Sequence, residues 1–269
     1  MPWRATGVTT MNDDFAPLDW LGNALDCGAC PQQALLLAQR CRPGHSCVHD
    51  RYARRVERFF ATNPGQANGF LDHPYFEVRA LAAQRADRFR LPALLDDPDE
   101  TVRWAAAQRL PERYLGKLIA DPHREVRIRV ALRLAPERLA VMMNDPDYYV
   151  RVVVARRLPV ALLAIMREDP DAQVRIAVAQ RLREADLLVM AHDADPAVRT
   201  VVAQRLPPAL LVPLREDTHW PVRYEVARRI GAQSLASLLT DQEDAVRELA
   251  QQRCTHPVVA SINSAGGIA

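Results

Sequence analysis

The chain has 269 residues, 49% hydrophobic and 25% charged, a composition of folded globular proteins and not of a disordered segment. Its 35 lysines and arginines nearly balance 33 aspartates and glutamates, and the resulting net charge of +2 excludes a strong basic field that would gather nucleic acid. No run of about eighteen apolar residues occurs, and Met1–Asp19 lacks the basic-then-apolar order of a signal peptide, so a cytoplasmic protein that does not span a membrane is expected.

Residues 1–26 supply Asp13, Asp14, Phe15, Pro17, Leu18, Trp20 and Leu21, which predict an extended lead-in and a short helix packed on the next segment of the chain. Pro31 suits the first position of a helix running to Arg40, with Ala34, Leu35, Leu37 and Ala38 as its apolar stripe; Arg42, Pro43 and Gly44 break it. A further helical segment over Val48–Thr62 carries Tyr52, Val56, Phe59 and Phe60 at helical spacing and stops at Asn63, Pro64 and Gly65. Residues 1–68 thus read as a small helical head with little core of its own.

Residues 73–264 then repeat one pattern in eight units of 24, followed by a tail at 265–269. The pair Val78 and Arg79 recurs every 24 residues without a slip as far as Val246 and Arg247, and a second arginine column runs from Arg85 to Arg253. A period of this length means a solenoid, in which each unit buries its apolar face only by stacking on its neighbours. In the second unit, Asp97 is the expected N-cap, Pro98 the first helical residue, and Val102, Ala106 and Leu110 the buried stripe, with Pro111 ending a helix of about twelve residues. Leu115 and Leu118, three apart on a short stretch, suit a helix of the tighter 3₁₀ kind. An alanine column from Ala83 to Ala227 sets the close approach of neighbouring helices. In the last unit, Gln251 replaces that alanine, Cys254 fills a leucine slot and is expected in the core, and Gln242 replaces proline, the marks of a terminal capping repeat.

On a helical wheel Arg103 falls about 100° from Val102, beyond Leu110 at about 80°, so it stands among apolar positions and must be paired. The aspartate column Asp97, Asp121, Asp145, Asp169, Asp193, Asp217 and Asp241 supplies the expected partners. This spacing is similar to the Asp–Arg ladder of HEAT repeats, and it makes the arginines a structural ladder in preference to an anion-binding stripe. The second column reads the same way.

Cys27, Cys30, Cys41 and Cys47 carry the strongest chemical signal. Two cysteines separated by two residues bring their sulfurs to one centre, and Cys41 and Cys47 bracket a Pro43–Gly44 turn able to supply two more. Four thiolates suit zinc or an iron–sulfur cluster, and the spacing does not choose. His45 and His49 are near enough to replace a ligand, but a full cysteine set makes that unnecessary. Arg40, Arg42, Arg51, Arg54, Arg55 and Arg58 outnumber Asp50 and Glu57, surroundings that would offset a negatively charged four-thiolate site. Five cysteines, four of them crowded together, argue against a secreted disulfide scaffold.

Taken together, the unit Asp-Pro, Val-Arg, Ala, Arg-Leu-Pro, Leu, Leu at period 24 and the cysteines ahead of it resemble the leucine-rich repeat variant family over residues 27–264. That resemblance implies an all-α, right-handed superhelical solenoid of alternating α- and 3₁₀-helices, and a [4Fe-4S] cluster, in preference to zinc, bound by Cys27, Cys30, Cys41 and Cys47. His73 in place of the first aspartate, Ala86 and Asp87 in place of Leu-Pro, and a late Pro196 depart from the pattern. The sequence holds no Gly-rich phosphate loop, metalloprotease His pair or nucleophile elbow, so no enzyme is expected. A non-enzymatic protein-interaction scaffold with an electron-transferring or redox-sensing cluster is. A structural cluster or zinc that caps the array is the alternative; nucleic-acid binding is disfavoured, because Tyr75, Phe76, Trp104, Tyr148, Tyr149, Trp220 and Tyr224 form no stacking row between free arginines.

Overall fold

A computed structural model describes residues 16–255. The expected lead-in at Asp13, Asp14 and Phe15, the end of the last unit and the tail at 265–269 lie outside the described residues. Among the described residues, α-helices alternate with 3₁₀-helices, and the sole strand-like features are two isolated bridges, Leu18 to Ala24 and Arg42 to Ser46. The chain divides into two compact units, Met1–Leu134 and Ala135–Ala269.

In the first unit the head precedes three repeat helices, Phe76–Ala83, Glu100–Arg109 and Arg124–Arg133, separated by the 3₁₀ segments Arg88–Asp96 and Glu112–Leu118. Each helix packs against the next. The predicted stripe is the core: Val102, Ala106 and Leu110 are buried together with Leu115 and Leu118. At full burial such aliphatic side chains stabilise by about 1.5–3 kcal/mol each. Leu110, forced out of helical geometry by the proline after it, adopts φ −76°, ψ 147° and ends the helix.

The helix start lies two residues later than the sequence suggested. Asp97, before Pro98, is extended at φ −61°, ψ 139°, but Asp99 is extended as well, at φ −93°, ψ 128°, so the helix cannot begin before Asp99. Asp99 is the N-cap, accepting from the Thr101 N–H at 2.8 Å, and the helix has ten residues, Glu100–Arg109. Asp97 accepts the Asp99 N–H at 2.9 Å with one oxygen and faces the ladder.

That ladder runs between repeats. Arg79 Nε and NH2 each donate to Asp97 at 2.8 Å, while its NH1 donates to the carbonyls of His73 and Pro74. Arg103 repeats the arrangement on Asp121, at 2.7 and 2.8 Å, and on the carbonyls of Asp97 and Pro98. Each guanidinium thus binds the carboxylate of the following repeat and two carbonyls of its own, which satisfies a cation that is about 90% buried. The second column has a different partner. Arg109 NH1 donates to the carbonyls of Ala83 and Ala86, closing the carbonyl end of the preceding helix, and Arg133 does the same for Ala107 and Leu110.

The second unit has the same plan. Its helices Tyr148–Arg157, Ala172–Ala179, Pro196–Arg205, Trp220–Arg229 and Asp244–Thr255 pack in chain order. Arg151, Arg175, Arg199 and Arg223 bind Asp169, Asp193, Asp217 and Asp241 at 2.6–2.8 Å through Nε. Pro196, late by the repeat's register, stands at the first helical position behind the Asp195 cap, where its missing N–H costs nothing. The alanine column is buried throughout, from Ala83 to Ala227. Cys254, expected in the core, is exposed, as is Gln251 at the end of the alanine column; among the described residues no further helix covers that face.

Candidate metal centre

Two segments of the head bring the cysteines together. The first is the Cys27–Cys30 loop, shaped by Asp26, whose carboxylate accepts the N–H groups of Gly28 at 2.8 Å and Ala29 at 3.3 Å. Gln33 braces it from behind by donating to the carbonyl of Gly28. The second is the turn between Cys41 and Cys47, pinned by the Arg42–Ser46 bridge and by Gly44 at φ 72°, a conformation that favours glycine. Cys47 N–H donates to the Arg55 carbonyl at 3.2 Å, which fastens this turn to the helix Ala53–Thr62.

That helix carries the apolar core of the head. Val56, Phe59 and Phe60 are buried as expected, while the helix starts at Ala53 instead of Val48 and leaves Tyr52 exposed; both phenylalanines form edge-to-face contacts with Phe70. Two other expectations fail. The segment around Trp20 is no helix but a turn, in which the Asp19 carboxylate accepts the N–H groups of Leu21 and Asn23. The predicted helix Pro31–Arg40 shortens to Gln33–Leu37 and buries nothing, Leu37 being 85% exposed. The stripe had the right period but no apolar surface opposite it.

Cys41 and Cys47 are buried, and Cys27 and Cys30 half-buried. Burial pushes the Cys41 thiol up, with further upward pressure from the nearby Cys30 and Cys27 and a hydrogen bond with Cys47 in partial compensation. Burial pushes the Cys47 thiol up to about 12, against a lowering hydrogen bond from the His49 N–H; Cys41, Asp50 and Cys30 add to the rise. The four sulfurs therefore share one electrostatic neighbourhood. Cys27, Cys30 and Cys47 line a pocket of about 280 Å³ whose walls include Trp20, Leu25, Pro31 and His49.

Among the described residues no three His, Cys, Asp or Glu side chains form a ready site for a single ion. Four cysteine thiolates suit zinc or an iron–sulfur cluster. The backbone agrees: Gln32 N–H donates to Cys30 Sγ at 3.4 Å and the His49 N–H to the Cys47 sulfur, donors that stabilise a thiolate more than a thiol.

Three of the six arginines expected to surround the sulfurs are engaged elsewhere. Arg55 is buried on Asp50 at 3.1 Å, Arg40 reaches the Thr62 carbonyl and Arg58 the His45 carbonyl. His45 is exposed. His49 is half-buried against Phe70 and His73, its pKa lowered by burial. Sequence reasoning treated it as a spare ligand; its hydrogen bond to Gln32 was not visible from spacing.

An all-α repeat protein with a thiol-lined head is the class these features define. Residues 17–69 match the family model described as the LRV protein FeS4 cluster. A solved structure, described as a leucine-rich repeat variant with a novel repetitive protein structural motif, is 40% identical, with a TM-score of 0.82 over 85% of this chain and 98% of that one. This protein belongs to the leucine-rich repeat variant family. An uncharacterised 27.7 kDa protein in the nifB 3' region of Rhodobacter capsulatus is 58% identical over 81 residues, a match that spans 30% of this chain and 33% of that protein.

Proposed function

We propose that Cys27, Cys30, Cys41 and Cys47 hold a [4Fe-4S] cluster and that the protein is a non-enzymatic scaffold, in which the repeat array contacts a protein partner and the head transfers an electron or reports redox state. The observation that carries the reading is the thiol-lined pocket, with backbone N–H groups already directed at two of its sulfurs. When bound, the cluster supplies reversible one-electron chemistry. The chain's part is to hold four thiolates, keep two of them from solvent and stabilise their charge by hydrogen bonds. A scaffold role for the array is supported by its inward economy: the ladder carboxylates are paired with arginines and the cap carboxylates of Asp99, Asp171 and Asp195 with helix N–H groups.

Anaerobic purification tests both halves. The expected protein is brown, with about four iron and four sulfide per chain; Cys30→Ser loses the iron and Cys254→Ser keeps it. A colourless zinc protein overturns the cluster. Partner affinity is then compared between cluster-free, oxidised and reduced protein, and equal affinity in all three sinks the sensing role.

One observation favours a structural role beside the redox one. The head is wired to the first repeat by Tyr75 OH on the Arg51 carbonyl at 3.1 Å, by Asn68 on Asp87, and by Trp20 stacked on Tyr75. Removing the cluster should then lower the melting temperature of the first repeat.

A further inference from the structure

Gln32 lies between the two halves of the cysteine site and is not one of its ligands. Its backbone N–H donates to Cys30 Sγ at 3.4 Å. Its side-chain Oε1 stands 3.7 Å from that same sulfur and 3.0 Å from Nε2 of His49. His49 lies two residues beyond Cys47, its N–H donates to the Cys47 sulfur, and its ring rests against His73 at 5.8 Å and Phe70 at 6.3 Å. One side chain therefore bridges the Cys30 loop and the Cys47 turn, and the ring it reaches is held from behind.

The bridge as it stands suits a protonated sulfur, because the Cys30 thiol donates to Oε1. A ligated sulfur has lost that proton and only accepts. Facing it, Oε1 would oppose one negative charge with another partial one. Rotation of the amide by half a turn places Nε2 there instead, and its two N–H groups match the two acceptors available, Cys30 Sγ and the His49 Nε2 lone pair. The one accompanying change is in the His49 tautomer, whose proton moves from Nε2 to Nδ1 so that Nε2 can accept; the two ends of the amide have the same shape.

Resting on the cluster reading, we infer that Gln32 is a positioning residue that donates one amide N–H to the ligated Cys30 sulfur and the other to His49, and so raises the reduction potential of the cluster. The direction comes from charge. Reduction adds an electron to a group already carrying thiolates, and a donor hydrogen-bonded to sulfur stabilises the more negative state.

The test uses the full chain, purified anaerobically, as wild type, Gln32→Met and Gln32→Glu. Methionine keeps the volume without a donor; glutamate keeps the shape and can accept from His49 but adds negative charge near Cys30. Iron content, midpoint potential and the pulsed-EPR nitrogen coupling of the reduced cluster are measured. With iron retained, the methionine variant should favour oxidation by on the order of tenfold, the worth of one hydrogen bond to a charged group, which is about 59 mV for one electron. The glutamate variant should shift further the same way, and both should lose a nitrogen coupling present in wild type. If methionine at this position prevents iron loading, the glutamate variant carries the test by the same two readouts. Full iron with unchanged potential and coupling in either variant overturns the role of Gln32 and leaves the cluster reading standing. Wild-type protein without iron overturns both.

Discussion

Arg103→Met tests whether the Val-Arg beat is a ladder. Arg103 holds Asp121 through Nε at 2.7 Å and NH2 at 2.8 Å, and donates NH1 to the carbonyls of Asp97 and Pro98 at 2.8 and 3.0 Å. The two side chains are 10% and 1% exposed. Methionine preserves the packing of the stem and removes every donor. Asp121 would keep only the His123 N–H at 2.8 Å, so a carboxylate shut away from water would be left with one partner and its charge uncompensated. Breaking a pair of this burial by removing one member costs about 3–5 kcal/mol, and most of the cost is the orphaned charge. The double variant Arg103→Met/Asp121→Leu removes that orphan, so it should recover more than half of the loss. Urea unfolding at neutral pH measures both, with Lys117→Ala as the control. Lys117 meets Asp96 at 3.4 Å with both side chains more than half exposed, and its loss should cost no more than about 0.5 kcal/mol. A cost below about 1 kcal/mol for Arg103→Met, or single losses that simply add in the double variant, would refute the ladder as a stabilising device.

The same carboxylates set the acid limit of the fold. Burial raises Asp121 and Asp217, but hydrogen bonds from Arg103 or Arg199 and from a backbone N–H outweigh it and leave both below the usual carboxylate value; in Asp241 the hydrogen bond from Arg223 dominates. Groups lowered on folding contribute stability that is fully present above the unfolded value near 3.9 and lost as pH falls through the lower folded values. The urea midpoint should thus fall steeply below about pH 4, after a smaller decline that begins near 6.5, where His49 and His73, both lowered by burial, take up protons only in the unfolded chain; a midpoint unchanged on crossing pH 4 would refute the carboxylate account. Ala107→Leu should overpack the buried alanine column at a cost of about 1–3 kcal/mol in thermal or urea unfolding, against little effect for the exposed Gln108→Leu on the same helix. Asp87→Pro, which would restore the residue found at the equivalent position in other repeats, should destabilise by about 1–3 kcal/mol, because Asn68 Oδ1 accepts the Asp87 N–H at 2.9 Å and proline has none.

The array was legible because its determinants are local and repeated. A stripe such as Val102, Ala106 and Leu110 states which face is inside, and a leucine before proline states where the helix stops. Asp97 and Asp99 could not be told apart by composition: both are acids near a helix start and both are extended, and only the folded chain shows that the second caps Thr101 N–H while the first pairs with Arg79. The head was legible in its chemistry and poorly legible in its shape. Four cysteines at suggestive spacing name the candidate ligands without help from folding, but the helix Gln33–Leu37 and the Trp20 turn depend on contacts over tens of residues, and an apolar stripe there has no repeating neighbour to pack against. Cys254 shows the limit from the other side: a core position in a solenoid needs a neighbouring unit over it, and among the described residues none covers this one.

The departures of the first repeat have one cause in common. An aspartate at position 73 would have no arginine of a preceding repeat to bind, and a half-buried carboxylate without a cation is costly. His73 performs the local task of that aspartate by accepting the Tyr75 N–H at Nδ1, 3.1 Å away, as Asp97 accepts that of Asp99. Burial lowers its pKa, so it does this uncharged near neutral pH. Its ring then turns toward the head, meeting Trp20 at 4.7 Å and His49 at 5.8 Å, while its carbonyl receives Arg79, the first rung. Asp87 answers to Asn68 in the same way on the other side of the repeat. Where the pattern breaks, the first repeat has exchanged groups that bind another repeat for groups that bind the head. That exchange places the cysteine site one histidine ring away from the start of the ladder, so a change at the sulfurs has a packed route into the array.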